Sequence, residues 1–229
     1  MPRRDHSVRL LTDQRGAAMV ELGFMLPILL LMGLTGAELT NYITVKMRMS
    51  QIALHLADNA ARIGTGSQLS SKTINESDIN DLFVGANLQA GELGLLTNGR
   101  MIISSLQPIA NPNSTSRFKI AWQRCQGAKT TRTSSYGIYN TTSGTNMTGM
   151  GPTGRQVTAP DYGATMFVEI YYEYKPIFQI SAAPTTTLTE IASMVVRDKR
   201  DLSDDSNLGA SATHPQGIYK VTGVTASTC

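Results

Sequence analysis

The chain has 229 residues, 41% of them hydrophobic, and a formal net charge of +3. That length allows one modest folded domain beyond any membrane segment. So mild a charge gives no argument for nucleic acid as a partner.

Most of the excess charge lies at the start. Residues 1–16 hold Arg3, Arg4, Arg9 and Arg15 against Asp5 and Asp13, and the remainder is close to neutral. An apolar run follows to Ala37, and Glu21 is its one charge. As a helix, residues 16–37 span about 33 Å, enough for the roughly 30 Å bilayer core. A carboxylate inside such a segment costs free energy and reads as functional. Arginines outnumber the charges at Glu38, Lys46 and Arg48 beyond the run, which predicts a cytoplasmic leader and an exported remainder. Within the run, Pro27 removes a backbone donor and presses on the carbonyl of Gly23, so a mild kink is expected.

Arg15-Gly16-Ala17-Ala18-Met19-Val20-Glu21 and the run behind it resemble the N-terminus of type IV pilins and pseudopilins. The alanine-led start, Pro27 and Ala57-Asp58-Asn59-Ala60-Ala61-Arg62 look most like the TadE/TadG-like minor pseudopilins of the Tad (Flp) pilus system. Tyr172-Glu173-Tyr174-Lys175-Pro176-Ile177-Phe178 and a late cysteine pair add to the likeness. TadG-like members carry a long additional domain for which this chain has no room, so the resemblance is TadE-like. It implies cleavage between Gly16 and Ala17 by a prepilin peptidase. It also implies that Glu21, then the fifth residue, pairs with a neighbour's N-terminal amine during assembly. The implied setting is the bacterial inner membrane, crossed once, with the N-terminus cytoplasmic and the domain periplasmic. The implied partners are the peptidase, other pilins or pseudopilins and the Tad machinery, and the implied role is priming or capping a pilus. Neither a cofactor, a small-molecule substrate nor nucleic acid is implied. Two alternatives compete. One is a signal peptide cut after Thr35-Gly36-Ala37, and the other an uncleaved anchor for a periplasmic binding or scaffold domain.

The expected fold class is α+β, a long N-terminal helix packed on a small antiparallel sheet with a second short helix. The expected divisions are a leader over 1–16, a transmembrane helix over 17–37, its amphipathic continuation over 38–65 and a folded domain over 66–229. In the continuation, Leu39, Tyr42, Met49, Ala53, Leu56, Ala60 and Ile63 make an apolar stripe broken by Lys46, with His55 on the polar face. Gly64 and Gly66 end the helix. A shorter helix is predicted over 75–90, capped by Ser77, with Ile79, Leu82, Phe83 and Ala86 as its stripe and Gly91 at its close.

Strands are predicted over 100–107, 117–125, 165–175 and 186–197, with a weaker one over 217–224. The second places Phe118, Ile120 and Trp122 on one side; the third alternates most cleanly. One wetted face is expected. More than half of residues 129–160 are Ser, Thr or Gly, which predicts a long mobile loop, either displayed or simply disordered. Residues 198–215 form a second polar loop, whose Asp201, Asp204 and Asp205 raise a calcium site without its standard spacing. Cys125 and Cys229 suit an oxidising compartment, and their bridge would stabilise by about 4–5 kcal/mol through chain entropy.

Catalytic patterns are missing. The histidines are His6, His55 and His214, none spaced as a zinc ligand to a cysteine. Gly149-x-Gly151-x-x-Gly154 has dinucleotide spacing but contains Pro152 and lacks the strand and helix such a turn joins. No enzyme activity is expected.

Overall fold

A computed structural model describes residues 16–67, 70–178 and 186–229. The fold is α+β. Helix α1 spans Ala17–Arg62, β1 Ile74–Asn75, α2 Glu76–Ala90 and the short α3 Leu95–Asn98. Strands β2 (Gly99–Pro108), β3 (Phe118–Gln126), β4 (Thr165–Glu173), β5 (Thr187–Val195) and β6 (Ile218–Tyr219) follow. Four of them form an antiparallel sheet in the order β3-β2-β4-β5, and β1 pairs in parallel with β6. The chain divides into two compact units, Met1–Thr44 with Pro176–Pro184, and Val45–Lys175 with Thr185–Cys229.

In the second unit, α1 buries Val45, Met49, Ile52, Ala53, Leu56, Ala57, Ala60 and Ala61. Their three- and four-residue spacing is that of one helix face. Much of the expected stripe is there, but Leu39, higher on the helix, is exposed. Asn75, not Ser77, caps α2. Its side chain accepts the Asp78 amide at 2.9 Å while the Asp78 carboxylate accepts the Asn75 amide at 3.2 Å, a reciprocal capping box. The Ser77 hydroxyl only supports it, donating to Asn75 Oδ1 at 2.6 Å.

The sheet has no wetted face at its centre, contrary to expectation: all ten residues of β2 are buried. The register puts Met101, Ile103, Met166, Val168 and Ile170 on one face and Ile102, Leu106, Phe167, Glu169 and Tyr171 on the other. Helices cover the first. From that face Arg124 reaches Glu76 in α2, while Arg200 lies against Met166 and donates to the Ala60 and Ile63 carbonyls at 3.1 and 2.9 Å. The guanidinium thus closes the C-terminal end of α1. Burial pulls its pKa down to about 10, with Asp198 acting against the shift.

Strand β3 departs from simple alternation. Ser105 pairs with Trp122 but Leu106 pairs with Ile120, so Ala121 is an extra residue and the ladder shifts there. Such a bulge flips everything beyond it. Phe118 and Ile120 therefore share the face of Leu106, and Trp122, 1% exposed, points to the helices instead.

Residues 129–160 make the other cover, and the expectation of a mobile loop fails. Met150 and Ala159 are buried with Leu106, Phe118, Ile120 and Phe167, and Tyr136, Tyr139, Met147 and Val157 pack against them. Two buried side chains of the sheet hold the loop by its main chain. Gln123 donates to the Gly137 carbonyl at 3.1 Å and accepts the Tyr139 amide at 3.3 Å. Glu169 accepts the Ser135 amide at 2.9 Å, the Tyr171 hydroxyl at 3.2 Å and the Ser134 hydroxyl. Glycine serves close approach here: a Cβ on Gly144 would lie 2.0 Å from the Ile138 carbonyl oxygen. The dinucleotide-like glycines belong to a tight hairpin in which Met150 pairs with Val157.

The predicted strand over 217–224 shrinks to the two residues of β6. The polar loop before it spends its carboxylates internally. Asp201 accepts from the Ser203 amide and the Tyr219 hydroxyl, Asp204 from the Ser206 and Gln216 amides, and Asp205 from the Thr213 and His214 amides.

Burial pushes the Glu169 carboxyl above its ordinary pKa, against the pull of its three hydrogen bonds. The folded-state value is the higher one, so stability declines as pH rises through it. Glu169→Gln keeps an acceptor for the Ser135 amide, and thermal melts should show it gaining on the parent from pH 4 to pH 8. The Arg124–Glu76 pair is bidentate, at 2.5 and 3.1 Å, and buried. Arg124→Met should lower stability by about 3–5 kcal/mol in chemical denaturation by stranding Glu76, and Glu76→Leu added to it should restore most of the loss.

Candidate membrane and assembly segment

The first unit carries the residues singled out at the N-terminus. Residues 1–15, His6 among them, lie outside the described residues. From Gly16 to Gly33 every residue of the segment is exposed, with Met19 at 75% and Phe24 at 74%. By length and composition, α1 can cross a membrane. A surface this apolar and this exposed needs lipid or another helix against it.

Gly16 and Ala17 stand where α1 begins, and Glu21 follows one turn after Ala17, on the same side of the helix. Glu21 is exposed among apolar neighbours. Pro27 lies inside α1 without ending it. A Cβ on Gly23 would meet nothing within 4 Å, the Pro27 ring included, so the glycine is not needed to make room for the ring. Gly33 and Gly36 are equally open.

One residue of this unit carries more than the sequence suggested. Glu38 is 1% exposed, and its carboxylate accepts the Ile177 amide at 2.9 Å and the Phe178 amide at 3.1 Å. The cause is local: β4 ends at Glu173, and Pro176, without an N–H, stops the ladder from continuing. The two amides behind it need an acceptor, and a carboxylate serves both. Sequence reading saw Glu38 only as the charge that closes the apolar run. The one available hint was a proline after a clean strand, and that does not say which carboxylate answers.

Cys125 and Cys229 are joined in a disulfide across 104 residues of sequence. The last residues accordingly run beside β3, where the Cys125 amide donates to the Ser227 carbonyl at 2.7 Å. His55 is exposed on α1. His214 stacks on Tyr219 with ring centroids 4.8 Å apart, and its Nδ1 lies 3.2 Å from Asp205. Among the described residues, no group of three or more His, Cys, Asp or Glu side chains could hold a metal ion.

No protein-family model, no curated protein and no solved structure matches the chain. Its own geometry must carry any functional reading. That geometry offers an exposed apolar helix with one carboxylate near its start, and a buried carboxylate that binds a distant stretch of main chain.

Glu38→Ala should speed hydrogen exchange at the Ile177 and Phe178 amides by roughly ten- to a hundredfold, the equivalent of a charged hydrogen bond. Glu38→Gln, which keeps an acceptor oxygen, should retain part of the protection.

Proposed function

We propose that this chain is a minor pseudopilin, TadE-like, that is cut by a prepilin peptidase and takes part in priming or capping a Tad-type pilus. The observation that carries the reading is the exposed apolar stretch of α1, bearing Glu21 five residues past Gly16, in a chain that also holds an α+β domain closed by a disulfide. The disulfide fits an oxidising, extracytoplasmic compartment.

In this reading, α1 first holds the subunit in the inner membrane, N-terminus cytoplasmic and domain periplasmic. Cleavage after Gly16 frees the Ala17 amine at the start of the helix. Glu21 of one subunit then pairs with that amine on a neighbour. In low dielectric, leaving either charge alone is the expensive alternative, so the pair sets register more than it adds stability. The partners are the peptidase, other pilins or pseudopilins and the Tad machinery.

Intact mass and N-terminal sequencing, from cells with and without the peptidase, test the proposal. The expected result is a chain beginning at Ala17 only when the peptidase is present. A chain that keeps residues 1–16 in peptidase-positive cells would overturn it and leave an uncleaved membrane-anchored domain. A start at Glu38 would mean a secreted protein. Glu21→Gln should be processed normally yet enter assemblies less.

A further inference from the structure

The sheet closes its two edges unequally. Along β3, Phe118 and Met147 exchange both backbone hydrogen bonds at 2.8 Å, and Ser227 accepts from Cys125. Along β5, no described segment pairs with the outer edge. The register identifies the groups left over. The Tyr174 amide donates to the Thr186 carbonyl and the Val196 amide to the Ala164 carbonyl, so even-numbered residues of β5 face β4 and odd-numbered ones face away. Thr189, Ile191, Ser193 and Val195 thus present a row of main-chain donors and acceptors. Strand β5 contains no lysine or proline, the residues that usually guard an open edge.

Positive charge gathers where β5 ends. Arg62, Lys72, Arg197 and Lys199 line two grooves, of about 330 and 250 Å³, that share Lys72, Arg197 and Asp198. Met194 and Val195 form part of the first groove's wall, so the strand edge runs into it. Two carboxylates answer the four cations: Asp58 holds Arg62 at 3.0 Å and Asp198 holds Lys72 at 2.6 Å. Arg197 and Lys199 are exposed and have no ion-pair partner among the described residues.

We propose that the β5 edge is a strand-addition site for an extended, acidic segment of a partner protein. Its main chain pairs with residues 189–195, and its carboxylates reach Arg197 and Lys199. Main-chain pairing supplies the affinity in such a mode, and the side-chain contacts supply the choice. A second copy of β5 fits less well. Paired antiparallel about Ile191, its one acid, Glu190, falls opposite Ala192 and leaves Arg197 and Lys199 unanswered. The proposal holds whether or not residues 1–16 are removed.

The test uses the full-length, oxidised protein in detergent micelles. The probe is a labelled eight-residue peptide alternating Thr or Val with Glu, set against the same peptide carrying Lys for Glu. Anisotropy should show binding of the acidic peptide alone, and hydrogen exchange should slow at Thr189, Ile191, Ser193 and Val195 but not at their even-numbered neighbours. Arg197→Glu with Lys199→Glu should weaken binding about tenfold or more, and added salt should weaken it too. Ser193→Pro removes one outward amide without touching the β4 ladder, so the domain should fold and lose the peptide. Equal binding of the lysine peptide, or binding without slowed exchange at the four amides, would overturn the proposal. A concentration-dependent dimer abolished by Ser193→Pro would also overturn it, assigning the edge to a second copy of this chain.

Discussion

Strand β2 is buried along its whole length, and a strand so placed needs a cover on each side of its sheet. The two covers are made of opposite materials. One is helical, and its own backbone is satisfied internally, so apolar side chains suffice apart from the Arg124–Glu76 pair and Arg200 at the end of α1. The other is a largely irregular run of small polar residues whose main chain pairs only at isolated points, such as Met150 with Val157. Where it packs on the sheet, Gln123 and Glu169 serve its main-chain groups. Glu169 is under tension in this role, since burial disfavours its charge while three donors favour it.

Helix α1 meets two environments with one continuous backbone. Its first half is rich in Leu and Met and exposed; its second buries alanines at Ala53, Ala57, Ala60 and Ala61. Small residues let the helix approach closely where it is covered, and bulky ones enlarge the apolar surface where it is not. Glu38 sits where the character changes, and its carboxylate gathers the main chain that leaves β4.

How far the sequence could be read depended on how local the information was. Strand β4 was legible because its alternation is unbroken, and α2 because its apolar spacing is regular. The disulfide was legible because the chain has only two cysteines. The bulge in β3 was hidden, since Phe118, Ile120 and Trp122 look in phase until an extra residue is counted at Ala121. Asn75 and Ser77 are both residue types that cap, and only the pairing of Asn75 with Asp78 decides between them. The folded state of residues 129–160 was out of reach, as composition says nothing of a glutamine and a glutamate waiting on another strand. Glu38 was seen and its partners were not, because they lie 139 and 140 residues away. The N-terminal apolar stretch was the reverse case: its composition announced a long helix at once, and α1 runs through it from Ala17 to Arg62.

The attachment of residues 129–160 has a consequence for how this protein can change. Gln123 grips the carbonyl of Gly137 and the amide of Tyr139, and Glu169 grips the amide of Ser135. Main-chain N–H and C=O groups are the same in every amino acid but proline. Outward side chains such as Thr131, Thr133 or Thr153, all exposed, can therefore be exchanged while the grip is kept. Evolution has at this place a surface whose chemistry can drift on a fixed mounting, and an engineer has a site at which to graft a short epitope.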